Sequence, residues 1–324
     1  MKGAAQRVFS PWQQRAYEHA LAALRAGRLG HGLLICGPAG LGKRAVADRL
    51  AHYVLCGGEP ATDTRGAQLI AAGTHPDLHR VSFVPTKDGS KLRTEIVIEQ
   101  MRELSQKLAL TPQYGASQVA IVDPADSINR AACNALLKTL EEPAAGRYLW
   151  LISAQPARLP ATIRSRCQRL EFKLPPHDEA LVWLLAQGHA QRDADEALRA
   201  ARGHPGLADE WLREGGLALR KAVASDLERL ERGEIAVIET AQRWASDEHA
   251  DLRLRHAADL VLAQAGADGL TDPARLHKLA AWFDAANRTR DLLRTTVRGD
   301  LAMVDLLLAW RGNDRARAVQ GERR

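Results

Sequence analysis

The stretch LLICGPAGLGKR, residues 33–44, constrains the fold more than any other part of the chain. Leu33 to Cys36 is short, apolar and bounded by glycine, the pattern of a strand buried on both faces. Gly37, Gly40 and Gly42 follow, and then Lys43. The glycines let backbone N–H groups converge on phosphate oxygens without side-chain obstruction. A helix opening at Lys43 adds the partial positive charge of its N-terminus, and the lysine reaches the β and γ phosphates. Strand, glycine loop and helix in this order are the context a phosphate-binding P-loop requires. An ordinary glycine-rich turn is the bland alternative, and Lys43 at this spacing argues against it.

The same stretch departs from a working site at one position. In P-loop enzymes a Ser or Thr hydroxyl after the lysine ligates Mg²⁺. Arg44 stands there, with no oxygen and a charge that opposes the metal. An anion could still bind, so ATP or ADP on Gly37, Gly40, Gly42 and Lys43 stays open as a weak occupancy. A second buried strand, QVAIVD, ends on Asp123, where active enzymes of this class orient their metal. Pro124 follows in place of a glutamate and has no proton to exchange, so it cannot act as a base. Asp123 is either a remnant of that metal site or a carboxylate at a loop entry. Asp126, three residues along, is expected to point elsewhere. Arg166, in RSRC before the last strand, is on spacing alone better read as a surface arginine in a salt bridge. A guanidinium in that place can also reach a neighbouring subunit's nucleotide, where such a group is worth roughly 10³ to 10⁵ in rate.

Around these motifs strands and helices alternate. Ser10 and Pro11 open a helix to about Arg25. A helix over 43–55 follows the loop, Leu78–Val84 is a candidate strand, and Ile96–Leu108 is a helix. NRAACNALLKTLEEP is a helix stopped near Pro143. Tyr148–Ala154 and Gln168–Leu174 are further strands, separated by a helical turn in LPATIRSRC. Alternation of this kind implies a parallel sheet with helices on both faces. After LPPHDE no strand is expected: short helices over 178–190, 194–202 and 206–214 precede longer ones from Gly216, with breaks near Gly233, Asp247 and 266–273. The predicted fold is therefore α/β plus all-α. It comprises a three-layer α/β domain over 1–173, a small three-helix domain over 174–214 and a helical domain over 215–324.

Composition excludes several classes. Hydrophobic residues make up 46% and charged residues 26%, ordinary for a soluble protein. No run of eighteen apolar residues exists, so no membrane span is expected, and MKGAAQRVFSPWQQ lacks the pattern of a signal peptide. Cys36, Cys56, Cys133 and Cys167 are scattered, which points to free thiols in a reducing cytoplasm. A net charge of +6 is compatible with work near nucleic acid, but arginines set beside Glu and Asp on solvated helix faces explain it equally well.

GHGLLICGPAGLGK, AGTHPDL, NALLKTLEEP and ATIRSRC together resemble the delta-prime subunits of bacterial DNA polymerase III clamp loaders, members of the AAA+ superfamily. The motifs run in the family's order across most of residues 30–170. NALLKTLEEP followed by SRC is highly specific to clamp-loader subunits; the glycine loop alone is not. The resemblance implies a place in a five-subunit arc that opens a ring-shaped sliding clamp and sets it on primed DNA. It implies a member that does not hydrolyse ATP, with Arg166 as the arginine finger completing the ATP site of the adjacent ATPase subunit. The partners it implies are the clamp-loader ATPase subunits and the delta subunit, with clamp and DNA reached through the complex and no membrane. Residues 174–214 then become a lid and 215–324 a collar domain. Gly206 and Leu207 occupy the place where active members carry a γ-phosphate-sensing arginine. The family usually carries a four-cysteine zinc module before AGTHPD; here only Cys56 remains, with Ala61, Thr64 and Ala67 where the other thiolates would fall. His75 with one thiol does not replace it, so neither zinc nor another required cofactor is expected. The main competing expectation is a self-sufficient AAA+ ATPase motor subunit, resting on the intact Gly40, Gly42 and Lys43. A P-loop kinase fits the helical second half poorly.

Overall fold

A computed structural model of the chain describes residues 8–58, 65–86, 89, 92–267, 273–293 and 298–321, with backbone only at 267 and 312–321. The chain divides into two compact units between Asp209 and Glu210.

The first unit is built on a five-stranded sheet. Its strands are β1 (Gly32–Cys36), β2 (Leu78–Val81), β3 (Gln118–Val122), β4 (Arg147–Ser153) and β5 (Gln168–Glu171), in the order β2-β3-β4-β1-β5. Every pairing is parallel, and the register sets Cys36 beside Ser153 and Glu171. Alternate residues of each inner strand feed opposite layers. Leu33, Ile35, Val119, Ile121, Trp150 and Ile152 pack against α1 (Pro11–Arg25) and α2 (Lys43–Cys56). Leu34, Ala120, Val122, Leu149 and Leu151 pack against α4 (Ile98–Ala109) and α5 (Arg130–Glu141) on the other face. Burial on both faces is why these strands are continuous apolar runs.

Between α2 and β2 lies α3 (Arg65–Ala71), too short for its periodicity to be read from RGAQLIA. Two predicted strands are shorter than expected. β2 stops at Val81 and β5 at Glu171, although Phe172 still donates its N–H to the Cys36 carbonyl at 2.7 Å. Ile96 is not helical: it bridges to Ile128, and α4 opens two residues later. A short α6 (Ala161–Arg164) precedes β5, and α7 (His177–Ala186), α8 (Gln191–Ala200) and α9 (Pro205–Arg213) follow it.

The second unit contains α10 (Gly216–Glu231), α11 (Val237–Ser246), α12 (Ala250–Ala267), α13 (Pro273–Leu292) and α14 (Gly299–Gly321). Its core holds Val223, Leu227, Leu254, Leu279, Met303 and three tryptophans whose polar edges are satisfied. Trp244 Nε1 donates to Asp226 at 2.8 Å, Trp282 Nε1 to the Leu306 carbonyl at 2.9 Å, and Trp310 Nε1 to the Leu227 carbonyl at 3.1 Å.

Candidate functional site

The glycine loop joins the C-terminal end of β1 to α2, as its sequence requires. Gly37 has a φ of +133°, and a Cβ there would collide with the Phe172 carbonyl oxygen, so only glycine fits. Beyond it the loop is closed by the protein's own groups. Lys43 is 6% exposed, and its Nζ turns back to donate to the Gly37 carbonyl at 2.7 Å and the Pro38 carbonyl at 2.6 Å. Burial pushes the Lys43 ammonium below its ordinary pKa, against the opposing pull of Asp126 and Asp123.

Two further elements cover the loop. Trp12 Nε1 and Gln13 Nε2 of α1 both donate to the Leu41 carbonyl at 3.1 Å, and the Gln13 amide lies against Gly42. The N-terminal turn of α9 sits on the other side. His204 approaches Gly40, and a Cβ on Gly206 would strike the Gly40 carbonyl. Trp12 also stacks edge-on with Trp183 of α7 at 5.3 Å, and Arg15 of α1 grips Glu179 of α7 with two hydrogen bonds of 2.7 and 2.9 Å.

Asp123, at the place where active enzymes of this class orient their metal, is paired with Arg44. Arg44 Nε lies 3.3 Å from Asp123 Oδ2. Burial raises the Asp123 pKa, and the Arg44 and Lys43 charges oppose that rise. Asp126, past Pro124, accepts from the Ser153 hydroxyl and from the Ala154 N–H at 2.7 Å. It therefore caps the end of β4. Lys43 and Arg44 on one side and Asp123, Asp126 and Asp48 on the other act on one another here. Ser153, Trp12 and Gln13 were not singled out by sequence reasoning. Their available signals were a polar residue ending a buried strand and a glutamine three residues after the Ser10 cap.

Arg166 stands at the opposite end of the sheet. It follows α6, its carbonyl lies beside Gly32 at the start of β1, and its side chain is 36% exposed. Its Nη2 pairs with Glu141 at 2.6 Å and its Nη1 donates to the Thr162 carbonyl at 3.0 Å. A concavity of about 470 Å³ lies on this side, lined by His31, Thr139, Glu142 and Arg147 among others. Two of its basic groups serve the fold: Arg147 donates to the Leu108, Ala145 and Leu110 carbonyls, and His31 Nε2 lies 2.8 Å from the Leu140 carbonyl.

At the place of the family's zinc module, Cys56 and His75 both lie near Gly66, with the Tyr114 ring 5.3 Å from that of His75. Ala67 is buried in α3, while Ala61 and Thr64 fall outside the described residues. Among the described residues no three His, Cys, Asp or Glu side chains stand where they could hold a metal. No described helix is long and apolar enough to cross a membrane.

Residues 12–176 match the family model described as DNA polymerase III, delta subunit. The chain is 37% identical to the DNA polymerase III subunit delta' of Pseudomonas aeruginosa over 244 residues, covering 73% of this chain and 71% of that protein. It is 38% identical to the corresponding Escherichia coli protein over 212 residues, covering 62% of each. Among solved structures, a DNA polymerase III gamma subunit-related protein of Thermotoga maritima aligns over 91% of this chain and 99% of its own, at 17% identity and a TM-score of 0.47.

Proposed function

The chain belongs to the DNA polymerase III delta-subunit family, and on that footing we propose that it is a clamp-loader subunit that does not hydrolyse ATP itself. It lends Arg166 to the ATP site of an adjacent ATPase subunit and works as a fixed end piece of the assembly, needing no cofactor of its own. The observation that carries this reading is a separation. Arg166 and the glycine loop lie at opposite ends of β1. Five strand residues at about 3.3 Å each span roughly 16 Å, so Arg166 cannot serve its own loop. A finger in this place acts on a nucleotide outside the chain or on none.

Two supports lie at the loop. Lys43 is already bonded to carbonyls, and Arg44 already holds Asp123. Neither a hydroxyl for Mg²⁺ nor a base follows in the places where catalysis needs them. The test is Arg166→Ala in the reconstituted complex. The chain is expected to fold and assemble, while hydrolysis at the site it completes drops by roughly 10³- to 10⁵-fold. A complex that kept its full rate would end the finger assignment.

A further inference from the structure

We propose that Glu141 is a positioning residue for Arg166, holding the guanidinium in the orientation from which it meets a neighbour's phosphate; this rests on the finger reading above. Glu141 is the last residue of α5, the negative end of the helix dipole, where a carboxylate is least favoured. Helix stability therefore does not explain it. What it does is bind Arg166 Nη2 at 2.6 Å while the Thr162 carbonyl holds Nη1 at 3.0 Å. The two acceptors come from different helices, α5 and α6, and fix the plane of the fork from two sides. His31, at 2.8 Å from the Leu140 carbonyl, steadies the turn that carries Glu141.

The arrangement leaves the finger usable. A guanidinium has five N–H groups. Thr162 engages one of them and Glu141 is in ion-pair contact with Nη2, which leaves further N–H groups for a phosphate. Glu141 therefore need not leave when the phosphate arrives. Holding a long, rotamer-rich side chain in place before the encounter removes ordering that the transition state would otherwise require. Both side chains are partly exposed, Arg166 at 36% and Glu141 at 47%, so the effect is modest and the fold does not depend on it.

The experiment measures ATP hydrolysis by the reconstituted complex carrying Glu141→Ala, Glu141→Gln, Arg166→Ala or the Glu141→Ala/Arg166→Ala pair. Glu141→Ala is expected to lower kcat by roughly two- to fivefold, the range an exposed ion pair supplies, with KM for ATP unchanged. Glu141→Gln keeps an acceptor oxygen for Nη2 and is expected to retain most of the rate. The double variant is expected to be no slower than Arg166→Ala alone. If Arg166→Ala slows the complex but Glu141→Ala leaves it unchanged, the positioning role is wrong and the finger stands. A faster Glu141→Ala complex would make the carboxylate a competitor for the guanidinium and also overturn the proposal. Equal losses for Ala and Gln would do the same. If Arg166→Ala itself costs nothing, the finger reading falls first.

Discussion

Adding Mg-ATP to the isolated chain tests whether the loop is closed. To admit β and γ phosphates, Lys43 must release the Gly37 and Pro38 carbonyls at 2.7 and 2.6 Å. A hydrogen bond from a charged donor contributes about 1.5–3 kcal/mol net. Two of them set a penalty of roughly 3–6 kcal/mol relative to a loop whose lysine is free. At about 1.4 kcal/mol per decade, that is on the order of 10²- to 10⁴-fold in affinity. A site of otherwise ordinary affinity, near 1 μM, is driven to about 0.1–10 mM. Titration calorimetry is therefore expected to find no saturable binding at micromolar ATP, and phosphate release is expected to stay at background. Arg44→Thr is the companion. It restores a hydroxyl for Mg²⁺ and frees Asp123 from a half-exposed pair worth at most about 1 kcal/mol, so the fold should be retained. Its affinity for Mg-ATP should rise a little, with no turnover, because Pro124 still supplies no base. A wild-type Kd near 1 μM, or turnover abolished by Lys43→Ala, would refute the reasoning and favour a self-sufficient motor.

Two predictions concern the second unit. Asp226 is 5% exposed and accepts from Trp244 Nε1 at 2.8 Å and Arg243 Nη2 at 2.9 Å; Asp226→Ala strands a buried indole N–H and should cost about 2–4 kcal/mol, read as a lower denaturant midpoint. His256 is fully buried against Trp211, and burial first, then Arg220, pushes its pKa down to about 4 from 6.5. The unfolded chain then binds more protons than the folded one between these values, so stability present above pH 6.5 is lost as pH falls toward 4, by on the order of 3 kcal/mol. His256→Phe should flatten that dependence in denaturant melts at pH 7 and pH 5, and an unchanged slope would place the titration elsewhere.

The sheet was legible because its signal is local. Runs such as LLIC and QVAIV are short, apolar and, for QVAIV, β-branched, which favours strands buried between two helical layers, and each is found there. The loop was legible for the same reason: glycine positions and a lysine at fixed spacing determine the backbone. What closes the loop was not legible. Trp12 and Gln13 reach Leu41 across 29 and 28 residues, and Gly206 meets Gly40 from a helix far along the chain. No periodicity encodes such contacts. Asp126 could be placed near the loop but not aimed; its carboxylate goes to the end of β4 because unpaired N–H groups wait there. AGTHPD was recognised as a motif, yet its chemistry emerges only in three dimensions. Asp77 is buried and accepts from the Gln113 and Tyr114 N–H groups at 2.8 and 2.7 Å, pinning the segment that leads into β3.

These contacts give the degenerate loop a physical use. A glycine loop with no ligand exposes backbone groups that must be satisfied somewhere. Here the Leu41 carbonyl takes two side-chain donors from α1, and the Gly37 and Pro38 carbonyls take the lysine. Through Trp12–Trp183 and Arg15–Glu179 the same helix is fastened to α7, while Gly206 fastens α9 to Gly40. A nucleotide entering between the loop and α9 would have to break these contacts. On the proposed reading, Arg166 is then offered from a unit whose loop and small helices are held together by its own side chains. That is the property a donated finger needs if the timing of hydrolysis is to be set by the subunit that binds the ATP.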